Sequence, residues 1–383
     1  FVVWSQLNQP TQEEIARQKQ LQDSLAQLEQ PVVDVETDTN AGTVTPSVAD
    51  TSTREMSAPE VPDSLMQNQL TQRFGPFALA AAGEEKEYVL ENELTKITFT
   101  NKGGRILEAE MKDYFRVEKN EEGEEVKYPL LLLEDEKNQF EYWLPVAGVA
   151  VDQIGTSELF FEVIPQDNNA VSFRATTTTG AYFEQYYRLE PNSHELTYEL
   201  RTKGLDGILR RGVEEMNLHW VNYLTPLEKN VDYERMYSTV YFKPATNGVD
   251  YCSCQKDDTE DIDKPLKWVS HTNQFFNTSL IAESAFGPGV LETVVLPEEG
   301  EDLKKLVSDI KVPLDQETFA MKMFIGPNEF KQLAAYDQDL QDIIPFGWSI
   351  FGTVNRWVIR PIFSFLSSFI GSAGLVILVL TLI

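Results

Sequence analysis

The sequence predicts a mainly β protein, in which a large antiparallel β-sandwich is followed by interfacial helices and a truncated transmembrane helix. Three observations predict this class. Short runs of alternating apolar and polar residues, separated by turn residues, fill residues 84–328, a pattern typical of an antiparallel sandwich. Residues 346–370 carry aromatic and aliphatic side chains at helical spacing. The run from Gly374 to Ile383 has no charged side chain.

The strands follow from alternation bounded by turn signals, of which Asn101-Lys102-Gly103-Gly104 is a clear example. Asp302 to Val307 interrupts the alternation, and no strand is predicted there. Residues 118–125 read as an acidic hairpin loop. The predicted strands are 88–90, 94–99, 105–111, 130–133, 140–144, 159–164, 171–178, 182–189, 195–202, 215–220, 238–242, 266–270, 275–282, 289–296 and 318–325.

The segments before the sandwich are predicted to be an anchor, a helix and a tether. Residues 1–10 begin Phe-Val-Val-Trp and are interpreted as the end of an N-terminal membrane anchor. A capping box from Thr11 to Glu14 opens a short helix over residues 11–30. Residues 31–83 are predicted to be a disordered tether, because its first part is rich in Thr, Ser and Pro and lacks aromatic residues.

Two helical interpretations border the sandwich. Within the tether, residues 65–82 allow a short helix that breaks at Gly75-Pro76. After the sandwich, residues 329–345 form a connecting segment, and apolar spacing predicts a helix over 329–340. This segment leads from the sandwich towards the membrane.

Residues 346–370 are predicted to form an interfacial amphipathic helix, which Pro361 should kink or restart. One face carries Phe351, Val354, Val358, Ile362, Phe365, Leu366 and Phe369. Two arginines fall on other faces, and two tryptophans suit the headgroup level. The residues expected at the membrane interface are Trp348, Phe351, Arg356, Trp357, Arg360, Phe365 and Phe369. The alternative is a helix that packs into the core of the preceding domain.

Residues 371–383 are predicted to be the start of a transmembrane helix. The ten residues from Gly374 to Ile383 would rise about 15 Å as a helix, whereas a bilayer core is about 30 Å thick. Thr381 is the one polar side chain in this run. The alternative is a buried C-terminal helix of a soluble domain.

Composition excludes some partners and leaves others open. The formal charge of −29 disfavours nucleic acid, because phosphate binding needs a cationic surface. Cys252 and Cys254 are separated by one residue, and the three histidines show no ligand spacing with them, so no metal site is predicted. Two loop thiols without a role are the simpler interpretation.

A sugar-binding or epimerising site is a second possibility that the residues leave open. Glu214, Glu215 and His219 lie close in sequence, and His271 is expected in a loop at a strand end. A histidine acid with a carboxylate base could act on a sugar. An aromatic-rich stretch could serve as a carbohydrate platform or as core, and it contains Trp220, Tyr223, Tyr233, Tyr237 and Tyr241.

The C-terminal part of the chain resembles YidC-type membrane protein insertases, in particular those of the Bacteroidetes branch. The resemblance is strongest over the last sixty residues, in the Gly326-Pro327 turn, the Gly347-Trp348 pair and the Arg360-Pro361-Ile362-Phe363 step. It is looser in the sandwich, at Asn101-Lys102-Gly103-Gly104, Lys267-Trp268 and Gln274-Phe275-Phe276. In all it covers residues 84–383.

The resemblance implies a mutarotase-like sandwich in the periplasm, on a protein of the bacterial inner membrane. It implies an insertase or chaperone component without a cofactor, not an enzyme, that helps newly made membrane proteins insert and fold. Its partners would be nascent membrane proteins, the lipid bilayer and the Sec translocon. Residues 371–383 would begin the first core helix, with Thr381 facing the substrate groove. The alternative function is a membrane-anchored, carbohydrate-binding or sugar-epimerising sandwich.

Overall fold

The structure is a computed structural model that describes residues 63–120, 123–228, 230–346 and 349–382. The predicted membrane anchor, the helix over 11–30 and most of the predicted tether lie outside these residues. Nineteen strands are described. They are β1 Glu87–Glu91, β2 Thr95–Thr100, β3 Arg105–Lys119, β4 Glu125–Leu132, β5 Gln139–Leu144, β6 Ile154–Gly155, β7 Glu162–Asp167, β8 Ala170–Thr176, β9 Tyr182–Leu189, β10 Glu195–Lys203, β11 Glu215–Leu224, β12 Thr239–Pro244, β13 Asp250–Tyr251, β14 Asp258–Ile262, β15 Leu266–Thr272, β16 Phe276–Phe286, β17 Gly289–Val295, β18 Lys304–Pro313 and β19 Thr318–Pro327.

The described helices are short and lie mostly at the two ends of the described chain. They are α1 Asp63–Phe74, α2 Val231–Tyr237, α3 Phe330–Ala334, α4 Ser349–Val354, α5 Arg360–Ser367 and α6 Ala373–Leu382. A π-helical turn, Asn355–Ile359, joins α4 to α5. Short 3₁₀ turns occur at Gly75–Phe77, Thr156–Glu158, Leu205–Gly207 and Leu340–Ile343.

The strands form three antiparallel sheets, which confirms the predicted fold class. A nine-stranded sheet has the order β13-β12-β15-β16-β19-β10-β9-β8-β7. A six-stranded sheet runs β14-β17-β18-β11-β5-β6, and a four-stranded sheet runs β1-β2-β3-β4. Both smaller sheets cover the same face of the large one, because Tyr198 on β10 contacts Tyr142 on β5 while its cross-strand neighbour Tyr187 contacts Phe99 on β2.

A buried polar network joins the sheets at the centre of this core. The Tyr142 and Tyr198 hydroxyls are 2.7 Å apart, and the Tyr198 hydroxyl donates to Gln185 Oε1 at 2.8 Å. Burial raises the pKa of Tyr198 well above its ordinary value, so the hydroxyl stays protonated and can donate. The Tyr187 ring stacks on the Tyr198 ring with centroids 4.5 Å apart. Since every bond here is buried, leaving a partner unpaired would cost about 1–3 kcal/mol.

The same network holds the predicted turn at Gly103-Gly104. Gln185 Nε2 donates to the Gly103 carbonyl at 2.7 Å, and the Tyr187 hydroxyl donates to the Gly104 carbonyl at 3.0 Å. Both glycines have positive φ, +81° and +64°, which L side chains rarely adopt. A Cβ on Gly104 would lie 2.7 Å from Gln185 Nε2 and 3.0 Å from Phe173 Cβ. The turn is therefore built for glycine by both conformation and space.

The opposite face of the nine-stranded sheet carries a second, smaller core. Trp268 on β15 is fully buried there, and its indole Nε1 donates to the Gln338 carbonyl at 2.8 Å. Phe324 on β19 and Leu333 on α3 belong to the same cluster, together with Leu340 and Ile343. This cluster packs the segment after β19, residues 330–344, against the outer face of the sheet. We call residues 330–344 the docked segment.

Three sequence predictions need correction. Residues 63–83 are not a disordered tether: they contain α1, which ends before Gly75-Pro76 as the alternative helix over 65–82 predicted, and Phe74 and Phe77 are buried in the main core. The helix predicted over 329–340 is interrupted, because Asp337 and Asp339 have positive φ. Residues 302–307 were predicted to break the strand pattern, yet β18 begins at Lys304.

β18 escaped the alternation pattern because a charged side chain occupies one of its core positions. Lys304 is fully buried, and its ammonium donates to the carbonyls of Ser238 at 2.5 Å and Cys254 at 2.6 Å. Burial lowers the pKa of Lys304 to about 8. The side chain therefore joins β18 to the chain on either side of β12 and β13.

We expect Gly104→Ala to lower the free energy of unfolding by about 2–4 kcal/mol, since it adds both backbone strain and a clash. Gly180→Ala is the matched control, because Gly180 has φ +84° but open space around its Cβ position. The control should lose only the strain term, about 1 kcal/mol. Urea unfolding of both variants measures the difference, and equal losses would show that space around Gly104 does not matter.

We expect wild-type stability to rise between pH 8 and 10.5 relative to Lys304→Met. Over this window the folded Lys304 becomes neutral, since its pKa is lowered from 10.5 to about 8. The unfolded side chain still binds a proton there, so raising the pH favours the folded state by up to about 3 kcal/mol. The difference between the two unfolding free energies isolates this residue. A flat difference across the window would contradict the prediction.

Candidate membrane-interface helix

The helical stretch after the sandwich runs from α4 through the π-helical turn into α5. Pro361 lies at the start of α5 and has no N–H to donate to the preceding turn. The predicted interruption at Pro361 takes the form of the widened turn at Asn355–Ile359, immediately before it. The stretch keeps a helical course, and residues three and four apart share a face within α4 and within α5, while the π-helical turn shifts the register between them.

One face of this stretch exposes large apolar side chains. Trp357 is 73% exposed, Phe365 64% and Phe369 75%. Val354 and Val358 are exposed as well, and the Phe365 and Phe369 rings meet edge to face with centroids 5.1 Å apart. We call these five residues the apolar face. Exposed apolar area of this kind marks a surface for another apolar phase, either protein or membrane.

The opposite side of the stretch binds the end of the sandwich domain. Arg356 Nη1 lies 2.8 Å from Asp342 Oδ1. The Arg360 guanidinium carbon lies 3.3 Å from the centroid of the Phe330 ring. Asn355 Nδ2 donates to the Phe346 carbonyl at 2.9 Å, and Arg356 also lies over the Phe346 ring. We call this set of contacts the clamp.

The clamp explains why Arg356 and Arg360 contact the sandwich domain, whereas the described aromatic side chains predicted at the interface are exposed. Their guanidinium groups engage side chains of the domain, while the apolar face is left outward. Cation–π contacts of this kind contribute about 0.5–2 kcal/mol each. The clamp thus determines which side of the helix remains exposed for contact with another surface. Sequence reasoning did not find Phe330, Asp342 or Phe346, because contacts across an irregular loop leave no periodic pattern.

Two of the predicted interface residues are not described at side-chain level. Trp348 lies outside the described residues, and of Phe351 only the backbone is described. Thr381 is exposed on α6, and its hydroxyl donates to the Ile377 carbonyl at 2.6 Å. Such a bond to the carbonyl four residues back satisfies a hydroxyl in an apolar helix. Within the described residues, no helix combines the length and apolarity needed to cross a bilayer.

The structure does not bring together the residues of the predicted sugar site. His219 lies 2.9 Å from Asp309, and this hydrogen bond raises the pKa of His219. His271 is buried, stacks on Trp220 at 3.7 Å and bonds Ser308. Because His219 and Trp220 are consecutive on β11, they point to opposite faces of the sheet.

The acidic and aromatic candidates are also dispersed. Glu215 is four residues before His219 on β11, about 13 Å along the strand. Glu214 precedes the strand.

The aromatic candidates lie in different parts of the domain. Trp220 belongs to the main core, Tyr241 to the second core, and Tyr233 is exposed on α2. Tyr223 is half-buried at the end of β11, and Tyr237 ends α2. Of the five aromatic candidates, Tyr237 and Tyr241 line one cleft, whereas the predicted acid and base are not among its lining residues.

Fold and site together define an antiparallel β-sandwich domain whose last strand leads, through a docked segment, into an amphipathic helix and an apolar helix. The family model described as the YidC periplasmic domain matches residues 87–365. The chain belongs to this family, which confirms the resemblance inferred from the sequence.

The chain is more similar to its sequence relatives than to solved structures. The membrane protein insertase YidC of Parabacteroides distasonis is 31% identical over 393 residues, covering 99% of this chain and 59% of that protein. The insertase YidC of Phocaeicola vulgatus is 28% identical over 387 residues, covering 98% of this chain and 57% of that protein. The chain thus spans a little over half the length of these relatives. A putative mutarotase from Salmonella typhimurium overlaps 64% of this chain and 91% of its own, with 10% identity and a TM-score of 0.39.

Proposed function

We propose that this chain is the periplasmic domain and membrane entry of a membrane protein insertase, which helps newly made membrane proteins insert and fold. The observation that carries the proposal is the apolar face, held outward on a helix that the clamp attaches to the sandwich. Membership of the YidC periplasmic domain family supports it. The proposed role is structural and interactive, without a catalytic site or a cofactor.

The geometry suits a helix that lies in the plane of a membrane surface. Trp357, Phe365 and Phe369 would enter the boundary between headgroups and acyl chains. Each large apolar side chain contributes up to about 1.5–3 kcal/mol when fully buried. The formal charge of −29 repels anionic lipid, so the apolar face would supply the attachment. The acidic sandwich would then remain in the aqueous phase beside the bilayer.

The proposed location is the bacterial inner membrane, with the sandwich in the periplasm. The proposed partners are the lipid bilayer, nascent membrane proteins and the Sec translocon. Residues 371–383 would begin the first core helix of the insertase. In this arrangement the clamp would hold the interfacial helix in a defined position relative to the sandwich, just before the helix that enters the bilayer.

In a chain that ends at Gly371, and so lacks the apolar helix α6, the double variant Phe365→Ser/Phe369→Ser should bind liposomes at least tenfold more weakly than the otherwise unchanged chain. The loss follows from removing two side chains that would each bury apolar area in the membrane. Phe115→Ser is the matched control, because Phe115 is exposed on β3 of the sandwich. Co-sedimentation with liposomes measures the partition. Unchanged binding of the double variant would indicate that the apolar face packs on protein instead.

We also propose that Thr381 lines the substrate groove of the complete protein. Thr381→Cys should then react with a water-borne maleimide at least fivefold faster than Val379→Cys or Leu380→Cys, which are turned away on the helix. It should also crosslink to a stalled substrate. Similar rates at all three positions would leave Thr381 as an ordinary hydroxyl bonded to Ile377.

A further inference from the structure

A cleft of about 770 Å³ separates the edge of the nine-stranded sheet from the clamp. Tyr241 and Tyr251 line it from β12 and β13, and Phe346, Arg356 and Trp357 line it from the other side. We call it the junction cleft. Its volume falls in the range of about 300–1,000 Å³ that is usual for small-molecule sites. It lies apart from the two small cavities beside His271 and Trp220.

The walls of the junction cleft combine aromatic residues with polar ones, among them Ser253 and Gln255. The Tyr241 and Tyr251 rings lie 5.2 Å apart, and Tyr251 is half exposed. Ile344 and Phe346 continue the apolar lining on the clamp side. The aromatic and aliphatic part of the wall suits a hydrocarbon portion of a ligand, because burying it removes apolar area from water, while the polar part suits a headgroup.

The charged groups of the cleft form one ion pair. Among the described residues that line it, the charged ones are Asp342 and Arg356. They are 2.8 Å apart, and each side chain is about one-third exposed. The pair therefore presents a positive and a negative charge side by side, with no net charge. A ligand that complements it carries a negative and a positive group at short spacing.

The junction cleft is continuous with the apolar face. Trp357 lines the cleft and is also the most exposed aromatic residue at that end of the apolar face. If the face lies in the bilayer interface, as proposed above, the cleft opens at headgroup level. The ligands available there are lipids, which combine hydrocarbon with a polar head.

We propose that the junction cleft binds a zwitterionic phospholipid with a primary amine. Its phosphate would meet Arg356, its ammonium would meet Asp342, and its glycerol and the first part of one acyl chain would lie against Tyr241, Tyr251 and Phe346. An anionic lipid is disfavoured, because Arg356 is already neutralised by Asp342 and the chain carries a formal charge of −29. This inference rests on the proposed membrane position of the helix.

The test uses the whole chain and short-chain lipids as monomers. Dihexanoyl phosphatidylethanolamine should bind at least fivefold more tightly than dihexanoyl phosphatidylglycerol in calorimetric titrations. Ser253→Trp, which fills the cleft, should weaken the first lipid at least tenfold. Ser284→Trp is the matched control, since Ser284 is exposed on β16 away from the cleft. Asp342→Asn should reverse the preference towards phosphatidylglycerol, because Arg356 then lacks its carboxylate.

Several outcomes would overturn the proposal. These are equal affinity for the two lipids, unchanged binding by Ser253→Trp, and equally tight binding of phosphoethanolamine alone. A fourth is a short Leu-rich peptide that binds where neither lipid does, which would assign the cleft to a substrate segment. The Phe365→Ser/Phe369→Ser variant separates the two proposals: ending at Gly371 it should lose liposome binding, and as the whole chain it should keep monomeric lipid. Retained liposome binding there, with monomeric lipid lost in Ser253→Trp, would refute the helix placement and leave the cleft site standing.

Discussion

The hydrogen bonds between Gln185, Tyr187 and the Gly103-Gly104 turn are the constraint on which the sandwich depends. They place a turn of the four-stranded sheet against β9 of the nine-stranded sheet. Tyr198 extends the same network to Tyr142 on the six-stranded sheet. Because buried donors and acceptors are costly when unpaired, this network permits few alternative arrangements of the three sheets.

Both faces of the nine-stranded sheet pack against other elements, and this connects the core to the proposed membrane surface. Its inner face carries the polar network, while its outer face carries Trp268 and the docked segment with Leu333. That segment supplies Phe330 and Asp342 to the clamp. A continuous path of packed side chains therefore runs from the centre of the sandwich to the amphipathic helix. The helix is thus attached through residues of this segment, which the second core holds on the sheet.

Much of the fold could be predicted because alternation and turn residues have a direct physical cause in antiparallel strands with one buried face. β18 could not, since its buried Lys304 looks like a solvent-facing residue in sequence. The interrupted connecting helix depends on the left-handed backbone at Asp337 and Asp339, which apolar spacing does not reveal. The exposure of Val358 and Phe365 followed from helical spacing. The contacts of the clamp did not, because only the tertiary structure brings Asp342 to Arg356.

The Asp342–Arg356 pair has two roles at once, since it belongs to the clamp and lines the junction cleft. Any molecule that engages one of these charges competes with the bond that holds the helix. Linkage is reciprocal, so the free energy by which an occupant loosens the helix equals the free energy by which a change in helix position alters affinity for the occupant. The angle between the sandwich and the bilayer would thus vary with the composition of the surrounding leaflet, and one short ion pair would make the domain a gauge of its own lipid environment.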